Sequence, residues 1–158
     1  MLRNLALTAL GLLAIIFASK GNCDLTPEMV AKCKQATALV FVGDDDQGTA
    51  FHIGQGLFVT NHHVISDADT TTKIKLVLDS GETTQRILMA SVLRSSKEHD
   101  LALLKVTDSK LPPAIEIGQV SGLIETASVM AFGYPFGKDL AVGKSAYPNI
   151  TVSMAVPP

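Results

Sequence analysis

Eight short runs of apolar and β-branched residues, separated by turn signals, limit the fold of this chain more than any other feature. They cover residues 38–42, 49–53, 57–60, 74–78, 86–93, 101–106, 127–132 and 150–154. Between them stand Gly43-Asp44-Asp45-Asp46-Gln47-Gly48, Gly54-Gln55-Gly56, Asp79-Ser80-Gly81 and Gly133-Tyr134-Pro135-Phe136-Gly137. Gly, Asn and Asp accept the positive φ that tight turns need, and Pro fixes φ and lacks an N–H. Runs this short at this spacing predict an antiparallel barrel or sandwich. No amphipathic stretch long enough for a crossover helix lies between them, which argues against a parallel α/β sheet. The expected fold class is all-β.

The chain has 158 residues, a length suited to one domain. With 47% hydrophobic and 18% charged residues it has the apolar content to bury a core, unlike a disordered tail. The net charge of −2 and the absence of a Lys/Arg block give no electrostatic footprint for nucleic acid. Aromatics at 5%, with no Trp, weaken any reading based on stacking against bases or sugars.

The first twenty residues read as an export signal. Met1-Leu2-Arg3 is a short positive start, and residues 5–18 form an apolar run broken only by Thr8 and Gly11. As a helix that run rises roughly 21 Å, short of the ~30 Å hydrocarbon core. Ala18, Ser19 and Gly21 are small residues suited to cleavage. An uncleaved anchor is the competing reading. A lipid-modified Cys23 is disfavoured because Lys20-Gly21-Asn22 is a poor lipobox. Cleavage leaves a more acidic, exported chain with no stable membrane span. In an oxidising compartment Cys23 and Cys33 can pair as a disulfide; two free thiols are the alternative. Thr26-Pro27-Glu28 reads as a helix start, with Thr as N-cap and Pro at the first position, and the helix is expected to end near Gln35.

The chain holds His52, His62, His63 and His99. His62-His63 follows the apolar strand Phe58-Val59-Thr60 and Asn61, and catalytic side chains often stand on loops that leave a rigid strand. Asp100 stands at the mouth of the apolar strand Leu101-Ala102-Leu103-Leu104. A carboxylate there needs hydrogen bonds, and an imidazole N–H is a suitable donor.

Four blocks now fall in order: Gly48-Thr49-Ala50-Phe51; Thr60-Asn61-His62-His63-Val64; Asp100-Leu101-Ala102-Leu103-Leu104-Lys105; and Gly133-Tyr134-Pro135-Phe136-Gly137. Together they resemble the trypsin-like serine proteases, in particular the Do-like, high-temperature-requirement branch. Ala50 stands where that branch has a second Gly. The resemblance implies two antiparallel six-stranded barrels with the active site between them. It implies a general base at His63 and an orienting carboxylate at Asp100. It implies serine endopeptidase activity on a polypeptide substrate, with no cofactor and no metal. The expected organisation is a signal peptide at 1–20, a helical lead-in at 21–35, the first barrel at 36–148 and the start of a second barrel at 149–158.

The nucleophile of that family lies in a Gly-Asn-Ser-Gly-Gly-like turn of the second barrel, together with the oxyanion hole. The serines after Asp100 are Ser109, Ser121, Ser128, Ser145 and Ser153, and none precedes Gly-Gly. This chain therefore carries His and Asp without a recognisable nucleophile and is expected to be inactive alone. A non-catalytic, single-barrel peptide-binding module is the alternative. Other motifs carry less. His62-His63 with His52 lacks ligand spacing for zinc. Asp44-Asp45-Asp46 lacks the spacing of a calcium loop. Gly143-Lys144-Ser145 has Lys138 where a P-loop needs its first Gly. Asn149-Ile150-Thr151 fits the N-glycosylation pattern, which matters only in a eukaryotic secretory host.

Overall fold

The structure, a computed structural model, describes residues 26–43, 45–68, 72–119, 129–135 and 147–155. The expected signal peptide, Cys23 and Gly143-Lys144-Ser145 lie outside the described residues. Helix α1 (Pro27–Ala36) starts as its sequence dictates: Thr26 Oγ1 accepts from the Met29 amide at 3.3 Å, and Pro27 opens the first turn. The helix ends where Thr37 turns extended, and the Thr37 hydroxyl donates back to the Cys33 carbonyl at 2.7 Å. Cys33 and Ala36 are buried against Ile115 and Phe132, and Cys33 has no disulfide partner among the described residues.

Six strands form a closed antiparallel barrel: β1 (Thr37–Val42), β2 (Asp45–Gly54), β3 (Leu57–Thr60), β4 (Ile74–Leu78), β5 (Arg86–Ser96) and β6 (Leu101–Val106). Around the barrel their order is β1-β2-β3-β6-β5-β4, so β1 pairs with both β2 and β4, and β3 pairs with β6. Ala38 and Val40 point into the barrel with Phe58, Leu76, Leu88 and Leu104. Leu39 and Phe41, on the other face of β1, pack with Val77 and Tyr134. Burial on both faces explains why β1 is a continuous apolar run rather than an alternating one.

The β2–β3 turn takes positive φ at Gly54, Gln55 and Gly56, and Gly56 has the least room. Gly56 has φ +71°, and a Cβ there would come within 2.3 Å of the Val106 carbonyl. Gly56 O also accepts from Val106 N at 2.8 Å, tying this turn to the end of β6.

Two expectations change. The Asp-rich turn is shorter than its composition suggests, because β2 resumes at Asp45, paired with Val42. Backbone pairing next to Gly43, at φ +68°, overrides the poor strand propensity of Asp. β5 extends to Ser96 through a register shift between Val92 and Arg94, a bulge that periodicity does not reveal.

The sixth strand of the barrel ends at Val106. Further on, β7 (Val129–Gly133) pairs with β8 (Thr151–Ala155) in a separate two-stranded sheet. Phe132, Ile150 and Val152 set that sheet against α1, while Tyr134, Tyr147 and Ile150 meet the outer face of β1.

Leu104 is fully buried and Ile87 is 48% exposed, although both sit within barrel strands. Leu104→Ala is expected to cost about 2–5 kcal/mol, and Ile87→Ala less than about 1 kcal/mol. Urea midpoints of the two variants check the ranking.

Candidate active site

The site begins at the end of β3. Thr60 is fully buried, and its hydroxyl donates to the Thr49 carbonyl at 2.8 Å, so the strand ends at a fixed point. Asn61 and His62 leave it, and a 3₁₀ turn follows at His63–Ile65. Val64 and Ile65 are buried in the barrel core and hold this turn down. His63, one residue earlier, keeps its ring at the surface with 42% of the side chain exposed.

Asp100 arrives from the neighbouring strand pair. The turn between β5 and β6 closes with the Asp100 amide on the Lys97 carbonyl at 3.3 Å, and Ser96 Oγ accepts from the His99 amide at 3.4 Å. Asp100 has φ +49°, the left-handed conformation that Asp tolerates better than most residues. Because β6 lies beside β3, the carboxylate reaches the His63 turn. Oδ1 accepts from the His63 amide at 2.9 Å, and Oδ2 meets His63 Nδ1 at 2.7 Å.

This contact settles the tautomer. Nδ1 faces an acceptor and so carries a proton; in the neutral ring Nε2 then keeps its lone pair. Among the described residues nothing hydrogen-bonds Nε2. The His63 backbone amide, above all, together with the His63 ring and Asn61, holds the Asp100 carboxyl below the usual carboxylate range. Asn61 Nδ2 donates to Asp100 O at 3.0 Å and to Oδ2 at 3.2 Å.

The other histidines have separate tasks. His52 is buried against Phe58; its Nε2 accepts from Gly56 N and its Nδ1 donates to Pro113 O, both at 3.2 Å. Both ring nitrogens are thus engaged away from His62-His63. His62 Nδ1 meets Ser95 Oγ at 2.5 Å, and His99 Nδ1 meets Ser96 Oγ at 2.9 Å. His62, Ser95, Met89 and Lys105 line part of an open groove of about 1000 Å³, which neither His63 nor Asp100 lines. Of the serines after Asp100, Ser109 and Ser153 are exposed, and Ser121, Ser128 and Ser145 lie outside the described residues.

Hydrogen bonds join the four sequence blocks. Thr49 O takes the Thr60 hydroxyl, and Thr49 Oγ1 takes the Tyr134 amide at 2.9 Å. Asn61 takes Asp100. Sequence reading singled out His63 and Asp100 but gave no role to Thr49 or Asn61. The available signal was their place inside the blocks.

A closed antiparallel barrel with a His–Asp contact at its rim, in chain order His then Asp, defines one half of a chymotrypsin-type arrangement. The chain belongs to the family described as the trypsin-like peptidase domain, whose model matches residues 48–155. A protein of Rickettsia prowazekii named probable periplasmic serine endoprotease DegP-like is 31% identical over 119 residues, which is 75% of this chain and 20% of that protein. A Pseudomonas putida (strain W619) protein of the same name is 37% identical over 98 residues, 61% of this chain and 19% of its own length. Among solved structures, the HtrA-type protease AlgW, as a point variant with a tripeptide, superposes with a TM-score of 0.60 at 28% identity. That match covers 80% of this chain and 37% of the other. AlgW with a decapeptide matches in fold, with a TM-score of 0.61 at 24% identity over 80% of this chain and 43% of the other. The chain thus spans about a fifth of the length of the curated relatives it matches.

A depressed carboxyl pKa stabilises the fold above the unfolded value, near 3.9, and that contribution disappears as pH falls through the folded value. The stability gap between the parent and Asp100→Asn is therefore expected to be widest above pH ~5 and to close below pH ~4. Urea unfolding across that range measures it. A gap that stays constant down to pH ~2 would contradict the assignment.

Proposed function

We propose that this chain supplies the acid–base half of a serine endopeptidase acting on polypeptides. The observation that carries the reading is the His63 Nδ1 contact with Asp100 Oδ2 at 2.7 Å, with Nε2 unpartnered among the described residues. In acyl transfer, His63 Nε2 takes the proton of a serine hydroxyl as its oxygen bonds to the peptide carbonyl carbon. The same proton then goes to the leaving amine as the C–N bond breaks. Asp100 fixes the ring and stabilises the imidazolium formed between these steps. In this reading the nucleophile and the oxyanion hole belong to a second barrel toward which residues 149–158 lead; β8 there pairs with β7, both outside the closed barrel. The 158 residues by themselves, with no serine followed by Gly-Gly, are expected not to cleave peptides.

The family resemblance supports a polypeptide substrate, and the matched AlgW structures carry peptides by name. An exported setting is supported by the apolar start of the chain and by relatives named periplasmic. Residues 1–20 act as the signal in this reading, and the oxidising compartment beyond the membrane lets Cys23 pair with Cys33. No helix among the described residues is long and apolar enough to cross a membrane.

The test joins this chain in frame to the serine-bearing second barrel of a DegP-like relative and follows hydrolysis of unfolded casein. The fusion is expected to be active and the 158-residue chain inactive. His63→Ala is expected to lower kcat/KM by about 10²–10⁴-fold, and Asp100→Asn to lower kcat by about 10⁴-fold. Equal turnover by the His63→Ala fusion would overturn the assignment. A fusion that folds and binds casein without cleaving it would favour a binding module.

A further inference from the structure

We infer that Asn61 is a positioning residue for the His63–Asp100 pair, its side-chain amide fixing both the main chain and the carboxylate of Asp100. Asn61 Nδ2 reaches two different groups of one residue: Asp100 O at 3.0 Å and Oδ2 at 3.2 Å. The first bond braces a carbonyl next to a left-handed backbone, at φ +49°. The second meets the oxygen that also receives His63 Nδ1. Oδ2 therefore takes one donor from each side, and its aim at the ring is set by the balance of the two.

The orientation of the amide is fixed by chemistry. Turning it over would set Asn61 Oδ1 against two acceptors of Asp100. In the observed orientation Oδ1 is buried and has no hydrogen-bond partner among the described residues. An apolar side chain would avoid that unsatisfied acceptor. What an apolar side chain cannot supply is the pair of donated bonds, and these are the service that Asn61 performs.

Asn61 is not alone in linking this loop to the strand pair β5–β6. His62 Nδ1 meets Ser95 Oγ at 2.5 Å, one residue further along. That second link touches neither oxygen of the carboxylate. It separates holding the loop in place from aiming Asp100. The titratable and charged groups on the elements around Asp100 are His62, His63 and Asp67 on the β3 side, Lys97, Glu98 and His99 on its own turn, Arg86 and Arg94 on β5, and Lys105 on β6. Of these, His63 contacts the carboxylate directly.

The role rests on reading His63 and Asp100 as base and orienting carboxylate. It is tested on the full chain by measurements that need no turnover. The readouts are the ¹³C titration of the Asp100 carboxyl and the proton resonance of His63 Nδ1–H. Asn61→Asp keeps the shape, removes the donor and adds a like charge. It is expected to raise the Asp100 pKa by about one unit or more and to move the Nδ1–H resonance upfield. Asn61→Ala is expected to shift both readouts in the same direction and by less. Ser95→Ala breaks only the His62 link and is expected to leave the Asp100 titration within about 0.2 unit. Asn61 variants with an unmoved Asp100 pKa and Nδ1–H signal would overturn the inference. So would a Ser95→Ala shift equal to that of Asn61→Ala, which would mean general loosening of the loop. Failure of the casein assay with these resonances behaving as expected would instead strike the peptidase reading.

Discussion

One carboxylate holds one residue at two points. Asp100 accepts from the backbone amide of His63 and from its ring, so it fixes where the residue stands and which way the imidazole faces. Both side chains keep over two fifths of their surface in water, 42% for His63 and 46% for Asp100. At that exposure Coulomb attraction between them is heavily screened. The geometry therefore cannot come from the charge pair itself. It has to be delivered by the backbones on either side.

The register of β3 against β6 delivers it. Thr60 stands opposite Ala102 and Phe58 opposite Leu104. Carried past the strand ends, the same register brings residues 61 and 62 opposite residues 101 and 100, which puts Asp100 beside the start of the His63 turn. Phe58 and Leu104 are both fully buried. A slip of one residue would send this apolar set to the surface and carry Asp100 away from His63 in the same step. Core packing and the aim of a surface imidazole are thus one constraint, enforced by the hydrophobic effect acting several residues from the ring.

The strands were legible because their cause is local. Short β-branched runs and Gly- or Asp-containing turns carry their own signal, and the all-β class follows from them. Departures occur where non-local pairing decides. Asp45 joins β2 because Val42 stands opposite, and β5 runs on to Ser96 against β6 through a bulge at the step from Val92 to Arg94 rather than through propensity. The pairing of β1 with β4 and of β7 with β8 leaves no periodic trace in the sequence. At the site, His63 and Asp100 could be singled out from the chemistry their residue types offer. Their 37-residue separation in sequence could be bridged only by resemblance to a family. Thr49 and Asn61 stayed silent because a Thr or an Asn beside a strand end is common. Their roles depend on which carbonyl or carboxylate the fold brings within reach.

A division of labour follows from where these bonds lie. Every group that holds the imidazole belongs to β3, its 3₁₀ turn or the β5–β6 turn, all on one barrel. That half of the site can be set before any nucleophile is in place. The connection onward is made elsewhere, at Thr49, whose carbonyl anchors the end of β3 through Thr60 and whose hydroxyl accepts the Tyr134 amide just after β7. Thr49 is buried, so both bonds are shielded from water, and neither oxygen is free to exchange partners cheaply. The strand that carries His63 and the segment that leads away from the barrel are therefore fixed to the same residue. The His63–Asp100 contact itself makes no use of that junction.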